Sequence, residues 1–162
     1  MDLQDVKALA INRMAEHGLT DWTFKFDNSK LRFGQCNMDR KMIKVSRHLA
    51  KLNGEEKVLD TILHEIAHAL EWVRYGTSGH GRRWKLICME IGARPERCYN
   101  IDETNLPESP YALSCQNTSC SNTSPRYRKT KTRYLCGRCR SKMVLVDCKT
   151  KTPVYTIKLR CN

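Results

Sequence analysis

The chain contains no run of eighteen or more apolar residues, which excludes a membrane-spanning helix on sequence grounds. Its opening, Met1-Asp2-Leu3-Gln4-Asp5, has neither a basic n-region nor an apolar h-region, so no secretory leader is expected and the predicted location is cytoplasmic. Internal repeats and long low-complexity tracts are also missing, which sets aside solenoid and disordered classes. Acidic residues are nearly absent from the last third. Residues 109–162 hold 12 Lys and Arg against Asp147 alone, whereas residues 1–108 hold 17 Lys and Arg against 16 Asp and Glu. A polyanion partner is therefore expected for the C-terminal segment and not for the chain as a whole. A basic surface kept only for solubility is the plainer alternative.

What is present begins with nine cysteines in 162 residues. Without an export signal they argue against a disulfide framework. In a reducing compartment, clustered cysteines more often bind metal.

Periodicity outlines the elements. Leu3, Val6, Leu9, Ala10 and Met14 follow a helical repeat that His17-Gly18 closes. Trp22, Phe24 and Phe26 alternate with polar residues as a half-buried strand does, and residues 31–36 and 42–46 read as two more strands. Together they predict a small antiparallel sheet. Asn53, with Glu56 three residues on, predicts a capping box for a long apolar helix from Gly54 to Tyr75, stopped by Gly76. That helix should have few solvent-facing positions. Residues 82–91 predict a further helix with Trp84, Ile87, Cys88 and Ile91 inward. A proline-containing connector from Pro95 to Pro110 then leads to short strands separated by cysteine turns. The predicted organisation is α+β: one domain over residues 1–108 and a small metal-stapled zinc ribbon over residues 109–162.

Inside the long helix lies His64-Glu65-Ile66-Ala67-His68. Residues four apart share a helical face, so both imidazoles can reach one zinc ion. Glu65, one step round, can take a proton from a metal-activated water without ligating the metal, and so serve as catalytic base toward a peptide carbonyl. A coincidental cluster would instead half-bury three polar side chains in an apolar helix, at a cost on the order of 1–3 kcal/mol each if unpaired. A catalytic zinc needs a third protein ligand. Glu71 and Arg74 stand where a metzincin would carry Gly and His, so that arrangement is excluded. His80, between Gly79 and Gly81, is the leading candidate and Glu90 the alternative. His17 and His48 read as surface or capping residues.

A second constellation follows. Cys115 and Cys120 are separated by four residues, and Cys136 and Cys139 by two. Two such turns at hairpin tips assemble a closed site of four thiolates, which is structural. A polar segment of this size gains its folding free energy from such a metal. Cys148 and Cys161 are candidate substitutes in it. Two zinc ions per chain are expected. Between the cysteine pairs, Arg126, Tyr127, Arg128, Lys129, Lys131 and Arg133 alternate cations with tyrosine, a composition suited to phosphate contact and base stacking. Salt-sensitive binding of single strands or junctions is predicted, with weak sequence preference.

Taken together, Arg32-Phe33-Gly34-Gln35-Cys36, the segment Leu59 to Leu70 around His64-Glu65-Ile66-Ala67-His68, His80-Gly81 followed by Trp84, and the cysteine ribbon resemble the SprT/Spartan family of metallopeptidases. The resemblance covers about residues 1–146. It implies that His64, His68 and His80 ligate zinc, that Glu65 is the catalytic acid/base, and that the ribbon binds DNA. It further implies cleavage of proteins trapped on DNA, with DNA as activator and the enzyme DNA- or nucleoid-associated. The wider spacing of Cys115 and Cys120 departs from the commoner two-residue gap. A monomer is expected. Two rivals remain at this level: a non-catalytic zinc-containing DNA-binding or transcription-associated protein, and a peptidase whose basic tail binds RNA or acidic protein.

Overall fold

A computed structural model describes residues 1–97 and 104–154 of the chain. Part of the predicted connector, residues 98–103, and Cys161 lie outside the described residues. The chain divides into two compact units, Met1–Pro107 and Glu108–Asn162.

The first unit opens with helix α1 (Leu3–Glu16), capped by the Asp2 carboxylate, which accepts from the Gln4 N–H at 2.7 Å. Val6, Ala10 and Met14, each four residues on from the last, form its buried stripe. Strands β1 (Thr23–Asp27), β2 (Gly34–Asn37) and β3 (Met42–Ser46) follow. Their spatial order is β1-β3-β2. β2 pairs antiparallel with β3, Gly34 opposite Val45, but β1 runs parallel to β3, Thr23 opposite Met42. The expected antiparallel sheet is therefore mixed. Alternation reports which face is buried and carries no information on strand direction. β3 takes the central place because Ile43 and Val45, both fully buried, need cover from both neighbours.

A short helix missed by periodicity, α2 (Arg47–Leu52), comes directly after β3. Buried Ser46 starts it. Its hydroxyl accepts from the Leu49 N–H at 3.1 Å and donates to the Ser29 carbonyl at 2.6 Å. Asn53 ends this helix and does not cap the next one. Its amide donates to the carbonyls of Leu49 (2.8 Å) and Asn105 (3.0 Å), and its oxygen accepts from the Asn105 N–H at 2.9 Å. Helix α3 (Glu55–Tyr75) is thus capped by Gly54 without a side-chain hydrogen bond, and Glu56 pairs with Arg94 instead of closing a capping box. Gly76, with φ 68°, turns the chain out of α3 in the left-handed conformation.

α3 is the axis of the core. Val58, Ile62, Ile66, Ala67 and Ala69 are fully buried in one cluster with residues of α1, β3 and α2, and with Trp84, Ile87 and Cys88 of helix α4 (Arg82–Glu90). The burial expected along the whole of α3 stops one turn early: Trp72, Val73 and Tyr75 are exposed.

The second unit is a four-stranded antiparallel sheet of β4 (Tyr111–Cys115), β5 (Thr123–Arg126), β6 (Tyr134–Leu135) and β7 (Lys142–Asp147), in the order β5-β4-β7-β6. Among its described residues only Leu113, Leu145 and Cys136 are buried apolar groups. A core of that size cannot offset the conformational entropy of some 50 residues, at about 1–2 kcal/mol each for the backbone alone. Among the described residues of the whole chain, no helix is long and apolar enough to cross a membrane.

Candidate metal centres and active site

α3 presents His64 and His68 on one face, one turn apart. The loop from Gly76 to Gly81 brings His80 back to meet them. The Nε2 atom of His80 lies 3.1 Å from that of His68 and 3.3 Å from that of His64. Zinc–nitrogen bonds of about 2.0–2.1 Å in tetrahedral geometry place ligand nitrogens about 3.3 Å apart, which is the spacing seen. Ser78 fixes the tautomer. Its hydroxyl donates to the His68 carbonyl at 3.4 Å, so its oxygen accepts from the His68 Nδ1–H at 3.1 Å and leaves the Nε2 lone pair facing the cluster. Lone pairs this close repel unless a cation sits among them.

Burial reinforces this state. It pulls the His64 imidazole down to about 4 and His68 down to about 3, helped by the neighbouring histidines. His80 is lowered as well, by desolvation first and Arg97 second. All three are therefore neutral donors at pH 7, as a metal requires. Fully buried Trp84 lies against all three rings, with centroid distances of 4.7–5.3 Å. Its indole is an apolar floor that leaves the imidazoles little freedom to tilt.

Glu65 is 6% exposed and points toward β2. Burial pushes its carboxyl up to about 8, against the backbone N–H of Cys36 and the charge of Arg32, which both lower it. Gly34 makes its placement possible: a Cβ there would stand 2.5 Å from Glu65 Oε1 and 2.8 Å from its Cγ. The three histidines and Glu65 line a cleft of about 940 Å³, walled on one side by residues 31–36 and on the other by Ser78 and Gly79. Glu90, the alternative third ligand, instead makes a bidentate ion pair with Arg74 at 2.7 and 2.8 Å and is half exposed. His17 is the C-cap of α1, and His48 is half-buried within α2.

In the second unit, Cys115, Cys120, Cys136 and Cys139 converge with all four Sγ atoms within 4.8 Å of one another. Cys115 Sγ lies 3.4 Å from Cys139 Sγ, and Cys120 Sγ lies 3.8 Å from Cys136 Sγ. Zinc–sulfur bonds of about 2.3 Å imply edges of about 3.8 Å, so the donor set fits a tetrahedral ion. The wide Cys115–Cys120 turn still delivers both sulfurs. The thiols titrate as a group: the backbone N–H of Cys139 leads in drawing Cys136 down to about 6. Cys115, despite the N–H of Asn117, is pushed up to about 12 by desolvation and by sharing protons with its neighbours. Cys148 is outside the cluster, its N–H bonded to the Pro110 carbonyl.

Of the predicted DNA contacts, Arg128, Lys129, Lys131 and Arg133 are exposed on the segment between β5 and β6. Arg126 folds back instead. It donates to Ser124 Oγ and the Pro125 carbonyl and lies 5.2 Å over the Tyr134 ring. Tyr127 is half-buried.

A family model described as the SprT-like family matches residues 7–108. The chain belongs to the SprT-like family. Protein SprT of Pseudomonas savastanoi pv. phaseolicola is 28% identical over 118 residues, spanning 68% of this chain and 72% of that protein. Protein SprT of Pseudomonas putida strain GB-1 is 27% identical over 132 residues, 75% and 77% of the two chains. Protein SprT of Glaesserella parasuis serovar 5 is 26% identical over 142 residues, 83% and 89%. The last match covers more than the first unit alone contains, so the likeness to SprT proteins extends into the cysteine-bearing unit. Sequence reasoning named all seven residues that the structure gathers into two possible metal sites, three histidines and four cysteines. It did not identify Ser78 as the partner of His68, nor the backbone N–H of Cys36 as the partner of Glu65. The first had a usable signal, a hydroxyl two residues before a ligand in a glycine-rich loop. The second is a main-chain contact with no sequence signature.

Proposed function

We propose that the protein is a zinc-dependent endopeptidase that cleaves proteins bound or crosslinked to DNA, is activated by DNA, and holds DNA through its basic ribbon. The observation that carries this reading is the position of Glu65: a buried carboxylate beside three converging imidazoles, opening onto a cleft of about 940 Å³. A purely structural metal site has no use for such a group. The bound zinc would supply Lewis acidity at the scissile carbonyl. Glu65 takes the proton of the attacking water and returns it to the leaving amine. The Cys36 N–H orients the carboxylate for both transfers. β2 lies at the edge of its sheet, and its outer backbone groups are suited to pair with a substrate strand.

The DNA link rests on the charge of the second unit and on the four exposed cations at 128, 129, 131 and 133. The test is cleavage of a DNA-binding protein with and without single- and double-stranded DNA, alongside Glu65→Gln and a Lys129→Ala/Lys131→Ala/Arg133→Ala variant. Cleavage should require Glu65 and be stimulated by DNA, and the triple variant should lose that stimulation together with part of the salt dependence of binding. Absence of cleavage in every condition would sink the peptidase reading. Cleavage indifferent to DNA would remove the DNA-activated part alone.

A further inference from the structure

Glu71 is not needed by the chemistry just described, and it is an odd residue to find where it is. It lies three residues after His68 and seven after His64, on the helical face that carries both ligands. It is buried, with 5% of its surface exposed. The ion pairs among the described residues do not include it. An isolated carboxylate is costly to bury unless strong hydrogen bonds compensate it. Its compensation is specific: Oε2 accepts the backbone N–H of Gly79 at 2.8 Å.

Gly79 immediately precedes His80. The two helical ligands, His64 and His68, are held by α3 whether or not a metal is present. His80 is not. It is half-buried on a six-residue loop with glycine at positions 76, 79 and 81, and α4 begins beyond it without a side-chain cap. Such a loop has many conformations to lose. Two polar contacts tie it to α3 just ahead of His80: Ser78 on His68, and Gly79 on Glu71.

We propose that Glu71 is a positioning residue that latches the loop to α3 and so preorganises His80 as the third zinc ligand. It acts on zinc through the loop backbone and not as a ligand. It places a negative charge near the ion's site as well, but the latch requires only a hydrogen-bond acceptor. This inference rests on the three-histidine zinc site proposed above.

The test measures metal affinity in the full chain, not activity. Co²⁺ titration distinguishes the two centres, because thiolate ligation gives intense sulfur-to-metal charge-transfer bands and a three-histidine site gives only weak d–d bands. Zinc affinity at the histidine site then follows by competition. Outer-shell partners of metal ligands are typically worth about 10–100-fold in affinity. Glu71→Ala should therefore weaken the histidine site by at least about 10-fold and leave the thiolate site unchanged. Glu71→Gln keeps an acceptor for the Gly79 N–H and should stay within about 3-fold of the parent. Should the alanine variant not fold, as read by far-UV circular dichroism, Glu71→Leu fills the same space without accepting a hydrogen bond and carries the same expectation. Parental affinity in the alanine or leucine variant would overturn the latch. Equal weakening in Glu71→Gln would overturn it too, since charge and not the acceptor would then be responsible. A parent chain that takes up one Co²⁺ only, with the thiolate bands and no second ion at the histidines, would refute the zinc site itself, which is a separate failure.

Discussion

Replacing Gly34 by alanine should cripple the chemistry while leaving the metal in place. The added methyl would lie 2.5 Å from Glu65 Oε1, 2.8 Å from Cγ and 2.9 Å from Cδ, about 0.9 Å short of ordinary contact at the closest point. Rotating the carboxylate about its terminal torsion does not relieve the clash, because Cγ is also too close. The helix cannot retreat, since Ile62 and Ile66 on either side of Glu65 are fully buried. The strand is held as well: Gly34 is paired opposite Val45 of β3. The Glu65 side chain must therefore swing to another rotamer, shifting its carboxylate by about 1 Å or more and losing the Cys36 N–H. A misplacement of that size costs about 100-fold in rate, and overpacking of this kind typically costs about 1–3 kcal/mol of stability. The assay is cleavage of a DNA-bound protein by the full chain, with zinc content measured on the same sample. The expected result is a loss of kcat approaching that of Glu65→Gln, two zinc ions retained, and a modestly lowered melting temperature. Parental kcat would refute the claim that β2 sets the position of Glu65. So would a loss explained entirely by missing zinc.

Three further outcomes follow from the same geometry. In the metal-free chain, neutral His64 and His68 bind fewer protons folded than unfolded from about pH 3 or 4 up to 6.5, whereas Glu65 binds more from 4.5 to about 8. Thermal stability of the first unit should thus rise with pH up to about 6.5 and fall above it, and a monotonic profile from pH 5 to 8 would contradict these protonation states. Cys136→Ser with Cys139→Ser should remove one of two zinc ions and abolish the cooperative folding of the second unit, while a first unit that also lost its metal would show that the two centres are not independent. Asn53→Ala deletes three hydrogen bonds to Leu49 and Asn105 and unties the chain at Asn105 from the end of α2. It should lower stability by about 1–3 kcal/mol in a denaturant titration without altering zinc affinity.

The parts of this protein that were legible in its sequence share one property: they are local. The His64–His68 spacing, the Cys136–Cys139 turn, the stripe of α1 and the stop at Gly76 are each settled within a few residues. The features that were misread depend on partners far along the chain. Asn53 looks like an N-cap beside Glu56, yet its hydrogen bonds go to Asn105, 52 residues away. The parallel pairing of β1 with β3 joins residues 19 apart, Thr23 with Met42, and nothing local to either strand signals its direction. α2 has only six residues, less than two full turns, and no hydrophobic repeat can show at that length. Glu71 was visible as a departure from a metzincin pattern, but its contact with Gly79 required the loop to be folded back.

The small apolar core of the cysteine-bearing unit makes its fold conditional in a way that the first unit is not. Leu113, Leu145 and Cys136 cannot hold a sheet together alone, whereas the first unit is organised around α3 whether or not metal is bound. A fall in available zinc would therefore affect the two units by different means. The histidine site would empty and leave a folded, silent cleft, whereas the thiolate site would empty and leave a basic chain without a fixed surface.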